Sequence, residues 1–460
     1  MQHLYITTFK LRVSMMSSIN HEPNAAAPTT FERDARASVA DHSKIAPGEI
    51  AIGVIIGRAS EYFDYFVYGI ASVLVFPEIF FPFASRLDGT LLAFVIFSFA
   101  FIARPIGTIA FMAIQRRWGR GAKLTGSLFL LGIATVGIAF LPGYASLGFT
   151  AIVFLSVLRF LQGVALGGSW DGLPSLLALN APKNRRGWYA MIPQLGAPIG
   201  FIVASGLFLF LHSNLGPVDF MEWGWRYPFY VAFAINVVAL FARLRLVVTD
   251  EYDHLLNEYK LEPSPVVELV RAQGSNLLIG AFAALASYAL FHLVTVFPLS
   301  WIVLYATQPV NDVLTIQIIG AAIAMVGIIA SGVIADRSGR RKTLGALAVL
   351  IGIFSLFAPM LLDGEPFRQD IFILVGFALL GLSYGQAAGA VSSNFASQYR
   401  YTGAALTSDL AWLIGAGFAP LVALGLSAHF GLAYVSIYLL SGAICTLAAL
   451  RVNRALELRD

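Results

Sequence analysis

Long apolar segments separated by short polar ones dominate the pattern of this chain. An apolar run of about 20 residues is long enough to cross a bilayer as an α-helix, and such runs recur along nearly the whole length. The pattern predicts twelve helical spans, numbered 1 to 12 in chain order, at residues 52–76, 90–112, 124–142, 148–172, 188–211, 228–247, 277–304, 313–335, 343–362, 371–395, 402–427 and 430–450. The predicted fold class is an all-α integral membrane protein.

Polar stretches divide these spans into two groups of six. Residues 1–47 are polar and poor in aromatic side chains, which predicts a disordered tail. One long polar interval in mid-chain separates span 6 from span 7. The expected domains are a cytoplasmic tail at 1–47, a six-helix half at 48–247, a cytoplasmic central loop at 248–275, a second six-helix half at 276–451 and a cytoplasmic tail at 452–460.

The composition agrees with this pattern, since 58% of the residues are hydrophobic and 12% are charged, whereas about a quarter are charged in soluble domains. Basic residues lie at the ends of the apolar runs, so the net charge of +4 is a topology signal and does not indicate nucleic-acid binding. With the first tail in the cytoplasm, the outer connections contain only Arg86, Arg226 and Arg368 as basic residues. The positive-inside rule thus predicts a multi-pass protein of the inner (plasma) membrane with both termini in the cytoplasm.

Two ten-residue stretches nearly repeat each other, QRRWGRGAKL at 115–124 and ADRSGRRKTL at 335–344. Each follows the second span of its half. A parallel repeat of six spans is a known construction of secondary transporters, with the substrate site near mid-membrane between the halves. The repeat therefore favours a carrier over a receptor or an enzyme. The first copy has Arg116 where the second has Asp336.

The second copy resembles the loop signature of the major facilitator superfamily, Gly-x-x-x-Asp-Arg-x-Gly-Arg-Arg, with matches at Gly332, Asp336, Arg337, Gly339, Arg340 and Arg341. Other stretches resemble the metabolite:proton symporter family of that superfamily: SEYFDYFVYG, RFLQGVALGGSWDG, RRGWYAMIPQLGAPIG, WGWRYPF and RYTGAALTSDLAWLIGAGFAPLVA. The likeness covers residues 50–450. It implies the major facilitator fold and the uptake of citrate, oxoglutarate, shikimate, proline or betaine with protons.

Ionisable side chains within apolar spans are costly, so each marks a site or a paired charge. Span 1 carries Arg58, Glu61 and Asp64, and span 4 carries Arg159 near its middle. In the functional interpretation, Glu61 or Asp64 takes up a proton. Arg159 then binds a substrate carboxylate, because its planar guanidinium forms two parallel bonds and keeps its charge. In the structural interpretation, Arg58 with Glu61 and Asp64 with Arg159 form buried pairs that hold helices together.

Several polar side chains with apolar bodies are candidates for lining a substrate cavity: Tyr65, Tyr68, Gln162, Trp170, Tyr384 and Gln386. Core packing is the commoner role of such aromatic residues and stays open for each. His292 in span 7 is either a proton relay or a core histidine. Pro193 and Pro198 predict an interrupted helix in span 5, which suits a moving element.

The sequence departs from the family pattern at two acidic positions. Span 4 ends in Gly-Gly-Ser rather than Gly-Gly-Glu, with Asp171 two places later, and span 11 has Asp409 where an amide is common. The resemblance implies a cytoplasmic gate formed by the repeated loops and the acids near them, which gives the candidates Arg116, Arg117, Arg120, Asp171, Asp336, Arg337, Arg340 and Asp409.

Arg116 is unusual in this gate, because the superfamily places an acid there, opposite the start of span 11. A helix N-terminus attracts anions and repels cations. We therefore expect a compensated exchange, in which Arg116 pairs with Asp409 or Asp171 when the carrier faces outward. Two alternatives stay open: Asp409 is a proton or substrate residue, or Arg116 and Asp409 are simply solvated.

These observations predict a proton symporter that takes up a small carboxylate-bearing metabolite by alternating access. It would act as a monomer in membrane lipid, with no cofactor other than the proton gradient, no metal and no enzymatic activity. A Gly196-x-Pro198-x-Gly200 string also resembles proton-driven exporters, so export of organic acids or drugs is one alternative. A non-transporting membrane sensor is another, although the large soluble output domain typical of sensors is absent from the sequence.

Overall fold

The computed structural model describes residues 47–170, 172, 174–175, 177, 181–182, 184–247, 261–306, 308–392 and 395–453, and every regular element within them is helical. Most of the two predicted tails and part of the predicted central loop lie outside these residues. The gate candidate Asp171 also lies outside them.

The described helices account for all twelve predicted spans. Ten of them are long and apolar enough to cross a membrane. One of the ten, Arg86–Phe140, consists of two helices that meet at Gly119 and supplies both span 2 and span 3. Pro47–Leu74, which carries four charged residues, supplies span 1. The observed spans 1 to 12 are Pro47–Leu74, residues 86–118, residues 120–140, Phe149–Gly168, Arg186–Asn214, Tyr227–Val247, Leu285–Tyr305, Val310–Ser338, Arg340–Leu362, Pro366–Ser392, Ser397–Phe430 and Ala433–Val452.

Shorter helices connect the spans. Phe76–Phe80 follows span 1, Tyr144–Leu147 precedes span 4, and Pro217–Glu222 precedes span 6. The helix Val266–Ala283 leads into span 7 and packs along span 11. Span 7 was predicted to begin at residue 277, so its first residues belong to this preceding helix.

The repeated stretches adopt the same turn between two helices. Gly119 has a φ angle of 86° and Gly339 has a φ angle of 84°, a region that L-residues with a side chain rarely adopt. No atom lies within 4 Å of where a Cβ would stand on either residue. The backbone conformation, rather than crowding, therefore requires glycine at both positions. We call the side of the bundle that carries residues 115–124 and 335–344 the basic side.

Glycine residues also let the equivalent helix pairs of the two halves approach closely. A Cβ on Gly163 in span 4 would overlap the backbone of Ala100 in span 2. In the second half, a Cβ on Gly381 in span 10 would overlap the backbone of Ala324 in span 8. Small residues at such contacts are typical of membrane helices, because packing rather than the hydrophobic effect holds them together. Both halves thus share one packing scheme.

Three spans are interrupted near proline residues, which cannot donate a backbone hydrogen bond. Span 5 contains a 3₁₀ turn at Ile192–Leu195 around Pro193, as the sequence predicted. Span 7 is broken before Pro298, and span 11 contains a π-helical segment, Trp412–Gly417, before Pro420. Two of these breaks border a cavity, since Pro193 and Trp412 belong to its lining.

Candidate functional site

A cavity lies between the two halves, towards the basic side. Its lining includes residues of the first half, Arg58, Tyr62, Trp170 and Gln194, and of the second half, Tyr288, Tyr384, Ser408 and Trp412. Arg58 is the one charged side chain among the described lining residues, and no described carboxylate lines the cavity. The cavity therefore suits a ligand with one negative charge and an apolar body.

Aromatic rings from both halves form one wall of this cavity. The Tyr62 and Tyr384 hydroxyl groups hydrogen-bond to each other across the halves. The Trp412 ring lies 5.8 Å from the Tyr62 ring and 5.1 Å from the Tyr288 ring, centroid to centroid. Such contacts are favourable for aromatic pairs. A ligand in the cavity would thus contact both halves at once.

The charge of Arg58 is shared with a buried carboxylate beside the cavity. Arg58 Nη1 donates to Glu61 Oε2 at 2.8 Å, which is the pair that the structural interpretation predicted. Arg243 Nη1 donates to the other oxygen, Glu61 Oε1, at 3.0 Å, and Ser169 Oγ donates to that same oxygen at 2.8 Å. The described charges of this cluster are thus two guanidinium groups around one carboxylate.

Arg243 was not among the predicted site residues, because its place near the end of span 6 suggested a loop charge. It is buried, with 4% of its surface exposed. Its guanidinium also donates to the carbonyl of Ser169. The sequence signal that was available is the position of an arginine inside an apolar run.

The predicted pair between Asp64 and Arg159 is not formed. Asp64 Oδ1 accepts from Thr135 Oγ1 at 2.9 Å, and Asp64 Oδ2 accepts from Asn236 Nδ2 at 2.8 Å. Arg159 Nη1 instead donates to Gln162 Oε1 at 3.0 Å, and Gln162 Nε2 donates to Thr135 Oγ1 at 2.8 Å. The hydrogen bonds between Asp64 and Arg159 therefore run through the neutral side chains of Thr135 and Gln162.

Aromatic rings hold Arg159 away from Asp64. Its guanidinium carbon lies 3.9 Å from the centroid of the Tyr68 ring and 4.8 Å from that of Phe97. The residue is fully buried, and it does not line the cavity. Stacking on aromatic faces is a favourable environment for a desolvated guanidinium. Arg159, the predicted partner of a substrate carboxylate, thus lies outside this cavity.

The remaining predicted lining residues fall into two groups. Tyr384 and Trp170 line the cavity, whereas Tyr65, Tyr68, Gln162 and Gln386 do not. Gln386 Nε2 donates to the carbonyl of Gly187 at 3.2 Å, so this side chain bridges the two halves.

His292 is buried among the rings of Phe97, Phe101 and Phe291. Its Nδ1 lies 3.3 Å from Thr295 Oγ1.

A separate buried ion pair, between Arg104 and Asp409, connects the two halves. Arg104 Nε in span 2 donates to Asp409 Oδ1 in span 11 at 2.7 Å. Thr108 Oγ1 donates to Asp409 Oδ2 at 2.5 Å, and Arg104 Nη1 donates to the Tyr65 hydroxyl at 3.1 Å. Arg104 was missed at the sequence level, although an arginine in the middle of span 2 is itself a signal.

Arg116 and Asp409, which we expect to pair when the carrier faces outward, do not pair in this conformation, and the alternative partner Asp171 lies outside the described residues. Arg116 is exposed on the basic side, and no hydrogen bond or ion pair of it is found among the described residues. It lies twelve residues beyond Arg104 along span 2, which corresponds to about 18 Å of helix. Asp409 lies deeper in the bundle and is held by the nearer arginine.

Other gate candidates connect the halves on the basic side. Asp336 in span 8 accepts from the backbone N–H of Gly187 at 2.6 Å and of Trp188 at 3.2 Å. A carboxylate is favoured there, because these N–H groups belong to the first turn of span 5. Arg340 Nη1 donates to the carbonyl of Gly389 at 3.2 Å and Nη2 to that of Arg186 at 3.4 Å.

The first-half loop closes the basic side in a different way. Tyr401 at the start of span 11 donates its hydroxyl to Gln115 Oε1 at 3.0 Å. Lys123 Nζ donates to the Tyr401 hydroxyl at 3.0 Å and to the carbonyl of Trp170. Arg120 borders this cluster, and the gate candidates Arg117 and Arg337 are exposed.

The halves also touch on the opposite side of the bundle. His212 Nδ1 in span 5 lies 2.8 Å from Asn311 Oδ1 in span 8. Contacts between the halves therefore exist on both sides of the cavity, as in an occluded conformation.

Comparisons with known proteins agree with this architecture. The family described as Major Facilitator Superfamily matches residues 143–408. The chain is 38% identical over 408 residues to the inner membrane metabolite transport protein YhjE of Escherichia coli (strain K12), covering 87% of this chain and 93% of that protein. It is 32% identical over 415 residues to the shikimate transporter of the same organism, covering 87% and 92%.

A solved structure shows the same fold. The proton:xylose symporter XylE, bound to 6-bromo-6-deoxy-D-glucose, superimposes with a TM-score of 0.66 at 17% sequence identity, covering 88% of this chain and 95% of that one. Twelve spans in two equivalent halves, a cavity between the halves and these relatives lead to one assignment. The chain is a multi-pass membrane transporter that belongs to the major facilitator superfamily.

Proposed function

We propose that this transporter takes up a small carboxylate-bearing metabolite together with a proton, by alternating access across the inner membrane. The observation that carries this proposal is the cavity between the halves, in which Arg58 is the one described charged lining residue. The relatives support it, since one is named an inner membrane metabolite transport protein and another a shikimate transporter. Shikimate carries one carboxylate and a cyclic body, which matches the single cation and the aromatic wall.

Arg58 would bind the substrate carboxylate. Its guanidinium keeps its charge and has more donors than Glu61 uses. Glu61 and Arg243 would hold Arg58 in place, because Glu61 accepts from both arginines. The rings of Tyr62 and Trp412 would cover the apolar part of the substrate from the two halves.

The proton would be carried by a buried carboxylate. Glu61 is poorly suited, because two arginines stabilise its charged form. Asp64 and Asp409 are the other buried carboxylates of the described spans, each about 2% exposed. Proton uptake by one of them would drive substrate accumulation along the proton gradient.

The basic side would face the cytoplasm, with both termini there. The distribution of Lys and Arg over the connections supports this orientation. In the occluded conformation, the contacts of Asp336 and Tyr401 would close the cytoplasmic exit.

Transport into vesicles tests the proposal. Purified protein in liposomes, with pyranine inside as a pH probe, would be given labelled shikimate, proline, glycine betaine and citrate, with and without an inward proton gradient. We expect gradient-dependent accumulation of a monocarboxylate with proton entry, and loss of both in Arg58→Gln. Arg368→Gln, a change on the opposite side of the bundle, serves as the matched control.

Three outcomes would contradict the proposal. Accumulation that is indifferent to the proton gradient would exclude symport. Proton entry coupled to substrate exit would indicate an exporter. Substrate binding without any flux would indicate a sensor.

A further inference from the structure

Beside the cavity, outside the proposed substrate site, a buried ion pair connects the two halves. Arg104 and Asp409 are 4% and 2% exposed, and Arg104 Nε lies 2.7 Å from Asp409 Oδ1. Thr108 is 1% exposed, and its Oγ1 donates a hydrogen bond to the second carboxylate oxygen, Asp409 Oδ2, at 2.5 Å. Asp409 belongs to Arg400–Ala411, the basic-side segment of span 11, while Arg104 and Thr108 belong to span 2.

We infer that Asp409 binds the coupling proton, and that its protonation releases Arg104 so that spans 2 and 11 separate. This inference rests on the proposed proton-coupled uptake and names the residue that performs the coupling. The proton adds to an Asp409 oxygen as the ionic bond to Arg104 breaks. Arg104 remains positively charged and keeps its hydrogen bond to the Tyr65 hydroxyl.

The energetic reason is the cost of separating buried charges. Pulling the halves apart with Asp409 ionised leaves a carboxylate and a guanidinium unpaired in a water-poor interior, which is strongly unfavourable. A protonated Asp409 is neutral, so only one charge has to be accommodated. The protonated state therefore favours the open basic side, and the ionised state favours the closed one.

The freed Arg104 would also connect the proton to the substrate. The Tyr65 ring, which Arg104 contacts through the hydroxyl, lies 6.1 Å from the Trp412 ring and almost parallel to it. Trp412 lines the cavity, as does Ser408, the neighbour of Asp409. The carboxylate of a substrate bound to Arg58 in the same cavity would help to balance the positive charge that Asp409 no longer balances.

One other described acid acts on Arg104, namely Glu61 in span 1, which interacts with it electrostatically. The oxygens of Glu61, however, accept hydrogen bonds from Arg58, Arg243 and Ser169 rather than from Arg104. Span 1 presents Arg58 and the Tyr65 hydroxyl, and spans 7 and 10 present the Tyr288 and Tyr384 hydroxyl groups. The helix Val266–Ala283, which packs along the same segment of span 11, carries Glu268 and Arg271, but both are exposed to solvent. Among the described acids, Asp409 is thus the one that pairs directly with Arg104.

Asp64 differs from Asp409 in one decisive respect. Its partners Thr135 and Asn236 lie in spans 3 and 6 of the same half. Protonation of Asp64 therefore changes contacts inside one half, whereas protonation of Asp409 changes a contact between the halves. Only the second change directly alters the equilibrium between closed and open states.

Distance measurements between spin labels test this inference without any substrate. The labels would replace Trp118 and Ser338, which are exposed and occupy equivalent positions in the repeated loops, in a Cys445→Ser background. In nanodiscs taken from about pH 8 to about pH 5, we expect the parent to gain a longer distance as the pH falls. Asp409→Asn should show the longer distance at every pH.

Matched variants keep the result interpretable. Asp64→Asn should retain the parental pH response, and Arg104→Gln should show the longer distance at every pH, because it breaks the pair from the other side. Asp409→Glu keeps a titratable acid and should keep the pH response, which covers the case in which Asp409→Asn does not fold. A parental pH response in Asp409→Asn, or in Arg104→Gln, would overturn the inference.

A transport arm separates this inference from the proposed function. With labelled shikimate as the probe, Asp409→Asn should lose gradient-driven accumulation, because position 409 can no longer take up a proton. It should retain exchange of internal for external shikimate, since exchange needs no net proton movement. Retained accumulation would refute the role of Asp409. Absence of accumulation of all four labelled compounds in the parent would refute the proposed function, while the spin-label distances still decide the inference.

Discussion

Asp336 is expected to hold the basic side closed, and its removal gives a measurable change in conformation. Its carboxylate accepts from the backbone N–H groups of Gly187 and Trp188 at 2.6 and 3.2 Å. These groups lie in the first half and Asp336 lies in the second, so both hydrogen bonds exist only while the basic side is closed. Asp336→Ala removes them without changing either half internally.

The size of the effect follows from the kind of contact. Loss of a side chain that caps a helix N-terminus costs about 0.5–2 kcal/mol, and a charged acceptor places this case towards the upper end. A change of 1–2 kcal/mol shifts a two-state equilibrium about 5- to 30-fold. The open population of Asp336→Ala should rise by that factor, as long as the closed state dominates in the parent.

Maleimide labelling of a cavity thiol measures this population. Ala388 lines the cavity near the basic side, so the parent for the assay is Ala388→Cys with Cys445→Ser. The labelling rate should rise about 5- to 30-fold in Asp336→Ala. Asp312→Ala is the control, because Asp312 is exposed at the other end of span 8. Equal rates in Asp336→Ala and in the parent would refute the reasoning.

Three further changes have definite expected outcomes. Gly163→Ala should lower the melting temperature in detergent, since its Cβ would overlap the backbone of Ala100 and overpacking costs about 1–3 kcal/mol; Gly206→Ala, with nothing within 4 Å of its Cβ, should raise it. Glu61→Gln should reduce the yield of folded protein on size-exclusion chromatography, because removing one partner from a buried charge cluster costs about 3–5 kcal/mol; a parental yield would contradict this. Arg116→Asp should change the cavity labelling rate by less than about twofold, since exposed charges contribute little, and a larger change would revive a role for Arg116 in the gate.

The helices were predictable because each one meets the same local requirement for backbone hydrogen bonds. About 20 consecutive apolar residues satisfy their backbone inside a bilayer only as a helix, and this needs no knowledge of the neighbours. The ends of the spans were less certain. Gly119, for example, makes so tight a turn that span 3 follows span 2 with no longer loop between them. Before span 7, Val266–Ala283 forms a separate helix.

The site was predictable only as far as single residues carry a signal. Arg58, Glu61 and Asp64 stood out because charges are rare in apolar spans, and the same reasoning applied to Arg104 and Arg243 would have found them. The partners of these charged residues could not be predicted from the sequence. Which arginine reaches Asp409 depends on how far spans 2 and 11 slide past each other, and that is set by packing between the halves rather than by spacing along either span.

The two copies of the repeated motif close the basic side through different contacts. In the second half, the carboxylate of Asp336 caps the first turn of span 5. In the first half, position 116 is an exposed arginine, and closure instead runs through Gln115 and Lys123 to the hydroxyl of Tyr401. A hydroxyl accepts from a cation and donates to an amide, so this gate requires no acid on the loop. The acid of span 11 is thereby free to pair deeper in the bundle with Arg104, where its charge can be linked to the opening of the halves.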